Sequence, residues 1–165
     1  MTYLNQIAEE CMAKLNAINV TYSKNVDFNT SKRYKVKWGQ CSKRYDGYHI
    51  TINHILVDEK YHDGLENTLM HELLHTCPGC MNHGALWKAY SRMVFNYYGI
   101  DITRTNSSKE KGVDESLIKH EPIRYRFKCE GCGQIINRRR ESKFTRNYTH
   151  YVCGECHGKL MRVAV

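Results

Sequence analysis

Two cysteine pairs near the end of the chain, Cys129-Glu130-Gly131-Cys132 and Cys153-Gly154-Glu155-Cys156, constrain what it can fold into more than any other feature. Twenty residues separate them. Two such knuckles bring four thiolates to one tetrahedral zinc, the pattern of a zinc ribbon. Four sulfurs leave no open coordination position, so this zinc is structural. The segment needs the ion, because about 40 residues cannot bury a sufficient core alone.

A second cluster lies upstream, in LMHELLHTCPGCMNHGALW over residues 69–87. His71 and His75 are four apart in an apolar stretch with Leu69, Met70, Leu73 and Leu74. On a helix that spacing stacks both imidazoles on one face, near enough to share a metal. Glu72 lies about a quarter-turn round, so it is poorly placed as a ligand but can reach a metal-bound water. Zinc lowers the pKa of that water to about 7, and a nearby carboxylate can take its proton. A catalytic zinc also needs a third protein ligand. From Leu73 to Ile100 there is no Asp or Glu, so no carboxylate is at hand. His83, after the Pro78-Gly79 turn, is the best candidate. Cys77 and Cys80 are rivals: a site of two imidazoles and two thiolates would be closed and structural. A second metal on Cys41, Cys77 and Cys80 is a weaker option, and packing thiols are the plain alternative.

The charge is uneven. Residues 124–165 carry ten Lys or Arg against three Glu, a net +7, whereas residues 1–123 carry fifteen against fourteen, a net +1. Excess positive charge of that density suits a polyanion, nucleic acid first. Arg138, Arg139, Arg140, Lys143 and Arg146 are interleaved with Phe144, Tyr148 and Tyr151. Cations can track phosphates and rings can stack on unpaired bases; a solubilising loop with core aromatics is the alternative. No window has the length and apolarity of a membrane span, and the N-terminus lacks the features of a signal peptide. The expected location is cytoplasmic, where eight cysteines read as ligands or buried thiols rather than disulfides.

Periodicity places the motifs. Leu4, Ile7, Cys11, Leu15 and Ile18 recur at helical spacing. Alternation in KRYKVKWGQC and YHITINHILV, joined through Asp46-Gly47, predicts a hairpin. A helix is expected from about Asp63 to before Pro78. Another is expected from about His83 to Tyr98, burying Leu86, Tyr90, Met93, Val94 and Tyr97, with Gly99 as its stop. Residues 101–123 are polar with a Ser-rich centre and read as a linker between a domain over 1–100 and a basic ribbon over 124–165.

The ordered set of WGQC at 38–41, ITIN at 50–53, HELLH at 71–75 and NHGALW at 82–87 resembles the SprT-like zinc metallopeptidases, which include Spartan. The resemblance implies a zincin-type domain, often with a C-terminal zinc ribbon. By it, His71, His75 and His83 correspond to the zinc ligands and Glu72 to the catalytic glutamate. Better-known members cut proteins on DNA. Many have a longer insert between the second and third histidines than the seven residues here.

The expectation is an α+β chain: a zincin-like domain with a small sheet and an HExxH helix, then a four-cysteine ribbon. Two zincs are expected, one catalytic and one structural on Cys129, Cys132, Cys153 and Cys156. The expected activity is proteolysis of protein substrates on or near nucleic acid, with Glu72 as general base. His49, His54, Tyr90 and Lys88 are candidates to help hold the oxyanion. An extended substrate can add to the 48–53 strand if that strand is an edge. The competing class is a non-catalytic nucleic-acid-binding zinc protein.

Overall fold

In the computed structural model, residues 2–105, 107–118 and 120–165 are described, and the chain divides into two compact units, residues 1–119 and 120–165. Mixed α+β structure runs through both. No helix among the described residues is long and apolar enough to cross a membrane.

In the first unit, helix α1 (Tyr3–Ala17) starts where the Thr2 side chain accepts from the Asn5 N–H. It buries Leu4, Ile7, Ala8, Cys11 and Leu15, the stripe its periodicity predicts. Strands β1 (Val26–Ser31), β2 (Gly39–Arg44) and β3 (Gly47–Asn53) form one sheet in the order β1-β3-β2. β2 and β3 make the expected hairpin, paired from Gly39↔Ile52 to Arg44↔Gly47, so Tyr45 and Asp46 form the turn. β1 joins parallel to β3. β3 is therefore central, and the 48–53 strand has no free edge for a substrate.

Residues 32–38 are not a strand, despite their alternation. Asn53 is the cause: it is fully buried, its side-chain amide donates to the carbonyls of Tyr34 (3.3 Å) and Lys37 (3.0 Å), and its backbone N–H donates to that of Trp38 (2.7 Å). A buried amide must find partners, and here it finds them in a loop.

Helix α2 (His62–Leu74) runs through the core, with Leu65, Leu69, Met70, Leu73 and Leu74 all inaccessible. Helix α3 (Ala85–Tyr98) stops at Gly99, which adopts the left-handed conformation expected of a C-terminal glycine (φ 71°). Its buried anchors are Trp87 and Val94, with Tyr90 and Met93 half-buried; Leu86 and Tyr97 face outward, contrary to expectation.

Residues 101–118 are not a bare linker. Ile102, Val113 and Ile118 enter the core, and a 3₁₀ turn at Lys109–Lys111 buries Lys111. The Asn67 amide donates to the Asp101 carbonyl (2.7 Å), and Ser91 Oγ to the Ile102 carbonyl (3.0 Å). The polar run conceals these well-spaced apolar residues.

Residues 120–165 contain β4 (Tyr125–Cys129), β5 (Ile135–Arg138), a short helix α4 (Lys143–Arg146) and β6 (Leu160–Val163), with the sheet ordered β5-β4-β6. Phe127 is its one large, fully buried side chain, packed by Phe144 and Tyr148 with ring centroids 5.0 Å away in each case.

The docking of residues 107–113 is testable. A Cβ at Gly64 would lie 2.5 Å from the Lys111 carbonyl oxygen. Gly64→Ala is expected to cost about 1–3 kcal/mol by overpacking, read as a lowered denaturation midpoint. A variant as stable as wild type contradicts this packing.

Candidate metal centres and active site

His71 sits on the last turn of α2, His75 caps it, and His83 precedes α3. The chain reverses between them because Cys77 N–H donates to the Leu74 carbonyl, Cys80 N–H to that of Cys77, and Gly79 takes a left-handed conformation (φ 77°). The reversal brings the three imidazoles together. Nε2 of His71 lies 3.3 Å from Nε2 of His75 and 3.0 Å from Nε2 of His83. One ligand atom from each lies within 4.8 Å of the others. Tetrahedral zinc with bonds of about 2.0–2.1 Å places its nitrogen ligands about 3.3 Å apart, so the spacing fits.

The outer nitrogens fix the tautomers of two of the rings. His71 Nδ1 faces the Thr103 carbonyl (3.0 Å) and His75 Nδ1 the Cys80 carbonyl (2.7 Å). A carbonyl only accepts, so both Nδ1 atoms carry hydrogen and, in neutral rings, both Nε2 atoms present lone pairs. The 3.3 Å contact between them is then not a hydrogen bond; it calls for a cation. Burial, with help from His75 and His83, pushes His71 down to about 3, and burial also lowers His75 and His83. Protons are poor candidates for that cation near neutral pH, and a metal ion is a good one.

Cys77 and Cys80 do not join the imidazole group, and among the described residues neither forms a second group with Cys41. Their contribution is backbone geometry, above all the Cys80 carbonyl that holds His75. Trp87, not singled out from the sequence, packs on all three rings at centroid distances of 4.9, 5.7 and 4.6 Å. Its Nε1 is the one buried side-chain N or O atom without a partner among the described residues.

Glu72 is 6% exposed. Burial raises its carboxyl to about 7, opposed by a backbone hydrogen bond from Cys41. A Cβ at Gly39 would come within 2.8 Å of Glu72 Oε1. The WGQC strand segment thus has a physical role: it presses bare backbone against this carboxylate. His71 and Glu72 line one cavity of about 340 Å³ with Lys37, Trp38, Gly39, Thr68, Arg104, Thr105 and Lys111.

None of the expected oxyanion helpers lines that cavity. His49 is held by Asp46 (2.9 Å) and Asp27 (3.4 Å), His54 lines a different cavity, and neither Tyr90 nor Lys88 borders this one. The cations that do line it are Lys37, Arg104 and Lys111. Arg104 and Lys111 escaped the sequence reading. Both lie in the polar run read as a linker, where no motif marks them.

Cys129, Cys132, Cys153 and Cys156 also converge, with sulfurs of Cys129 and Cys156 3.4 Å apart and those of Cys132 and Cys153 3.6 Å apart. Donation from the Cys132 backbone N–H lowers Cys129 to about 6, helped by the Cys156 thiol, so its thiolate forms readily. In that unit the five candidate phosphate contacts are all exposed, and four have partners: Arg140 pairs bidentately with Glu121 (2.9 and 3.0 Å), Arg139 reaches the His120 ring (3.3 Å), Arg146 lies 3.7 Å from Glu141, and Arg138 stacks over Phe144. Phe144 and Tyr148 pack on Phe127, so of the three interleaved rings only Tyr151 is exposed.

Fold and site together define a mixed α+β protein with a three-imidazole cluster beside a buried carboxylate, followed by a four-thiol cluster. The chain belongs to the SprT-like family, whose match spans residues 8–106. It is 25% identical over 160 residues to a protein named SprT-like from Lactococcus lactis subsp. lactis, covering 93% of each chain. A SprT-like protein of Streptococcus pyogenes is 27% identical over 143 residues, covering 82% of this chain and 88% of its own. Among solved structures, a metallopeptidase zymogen, jannalysin of Methanocaldococcus jannaschii, aligns at 21% identity and a TM-score of 0.40, over 59% of this chain and 78% of that one.

Glu72 has a measurable stability cost. Its folded value, about 7, lies above the ordinary 4.5, so the folded state retains a proton the unfolded state has released. That contribution is fully present below 4.5 and is lost as pH climbs through 7. The interval corresponds to roughly 3 kcal/mol at most. In chelator, Glu72→Gln is expected to be more stable than wild type at pH 8 and to lose most of that advantage by pH 5. A gap independent of pH speaks against a buried ionisable carboxylate.

Proposed function

We propose that this protein is a zinc-dependent peptidase with Glu72 as general base and His71, His75 and His83 as metal ligands. The observation that carries the reading is the convergence of three Nε2 atoms, two of them fixed as lone-pair donors by backbone carbonyls, with His71 and the buried carboxylate of Glu72 lining one cavity. Bound zinc would acidify a water and polarise the scissile carbonyl. The chain's own residues do the rest. Glu72, poised near neutrality, takes a proton and returns it to the leaving amine. Gly39 and Cys41 hold that carboxylate in place. Among the described residues β2 pairs with β3 alone, so its outer edge is open to an extended polypeptide next to Gly39. A non-catalytic metal site has no use for a carboxylate buried at such cost.

The four thiols would hold a second, structural zinc. The net +7 of residues 124–165 supports a nucleic-acid partner, with Arg138, Arg139, Arg140, Lys143 and Arg146 contacting phosphates. Phe144 and Tyr148, half-buried against Phe127, make base stacking a minor part of that contact.

Glu72→Gln is expected to bind two zinc ions per chain, as wild type does, and to cleave unfolded protein at least about a hundredfold more slowly. Wild-type cleavage by this variant would overturn the peptidase reading. Separately, DNA at low salt is expected to raise cleavage, and neutralising Arg138, Arg139 and Arg140 to remove that effect. Rates indifferent to DNA leave the peptidase and remove the partner.

A further inference from the structure

The cavity beside His71 and Glu72 has walls of the wrong charge for a neutral peptide. Lys111 is 3% exposed, and no other Lys or Arg among the described residues is buried. Its side chain extends from the 109–111 turn, and its ammonium donates to Asn67 Oδ1, a neutral acceptor. That bond uses one of three donors. Buried ammonium groups are rare unless an anion pairs with them, yet no ion pair holds Lys111 among the described residues. Nor does one hold the other two cations of the cavity wall, Arg104 and Lys37; Lys37 donates to the neutral Gln40 side chain (2.9 Å).

Three cations therefore face a space of about 340 Å³ with one carboxylate, Glu72. Glu72 attracts Lys111 and Lys37 through space, but its hydrogen bond comes from the Cys41 backbone and it is pressed against Gly39, so one carboxylate is shared among three cations. Thr68 and Thr105, both uncharged, also line it. The cations come from both sides of the cavity: Lys37 from the loop before β2, Arg104 and Lys111 from the segment after α3. An anion entering between them would be gripped from two directions and would complete the set of partners that Lys111 lacks.

We propose that this cavity is a subsite for a carboxylate of the substrate, held by Lys111 with Arg104 and Lys37, so that cleavage falls beside an acidic group. This rests on the peptidase reading, since the cavity earns its meaning from sharing His71 and Glu72. The carboxylate can be an Asp or Glu side chain or the free end of a polypeptide; the chemistry is the same.

The test uses the full-length, zinc-loaded protein. Peptides differing only by Glu or Gln at one position, each made with a free or an amidated C-terminus, are compared for cleavage by wild type and for binding to Glu72→Gln by fluorescence anisotropy. The expected result is discrimination of about tenfold or more, from charge-assisted hydrogen bonds, falling as salt rises. The Glu/Gln pair reports side-chain recognition, and the free/amidated pair reports end recognition. Arg104→Gln and Lys37→Gln, both at exposed positions, are expected to shrink the preference, and Lys111→Met to abolish it. If Lys111→Met does not fold, the two exposed variants still decide. Equal cleavage and binding of all four peptides overturns the subsite and leaves the peptidase intact. Absence of cleavage with acid-selective binding to Glu72→Gln does the reverse.

Discussion

The first unit depends on two backbone carbonyls, those of Cys80 and Thr103. Each accepts the outer hydrogen of an imidazole and so turns the inner lone pair of His75 or His71 toward a shared point. Second-layer hydrogen bonds of this sort orient metal ligands and raise their basicity. Neither carbonyl belongs to a regular element. One is delivered by the turn through Pro78 and Gly79, the other by the segment after α3, which Asn67 and Ser91 pin in place. Irregular backbone here carries the precision of the site, while α2 supplies only the spacing of His71 and His75.

Those lone pairs are mutually repulsive, and Trp87 shields them from water by packing on all three rings. Glu72 adds a carboxylate in a place that disfavours its charge. Each feature costs stability in the absence of a cation, and each is relieved by one. The unit thus concentrates its electrostatic strain at one point, which is where a metal ion brings most. The remaining core, almost wholly aliphatic around α1, α2 and the sheet, pays for the strain.

Much of this was legible in the sequence, and the limits have physical causes. HELLH with His83 marked the imidazole cluster, because histidines four apart on a helix share a face whatever surrounds them. The cysteine pairs did the same for the second cluster. Strand β1 was missed because VDFNTS offers only Val26 and Phe28 as apolar signal, both half-buried. Residues 32–38 looked like a strand because alternation cannot register that Asn53 is buried and captures the carbonyls of Tyr34 and Lys37. The cavity walls were invisible for a different reason: Arg104 and Lys111 are ordinary cations in a polar run, and only long-range packing of Ile102 and Val113 places them opposite Lys37.

The second unit packs little apolar material around its four thiols. Its buried cluster holds Cys129, Cys153 and Leu160, with Phe127 enclosed by its rings. The knuckles are tight enough that a Cβ on Gly158 would come within 2.9 Å of Cys129 Sγ. Since Phe144 and Tyr148 are spent on that small core, they are not available to bind bases. The exposed remainder is charge: guanidinium and ammonium groups on a surface where only a few carboxylates oppose them. If the proposed nucleic-acid partner binds there, a surface of that kind would hold it by its phosphates without reading its sequence. Such binding would weaken as ionic strength rises, and exposed cations alone would not distinguish one DNA sequence from another.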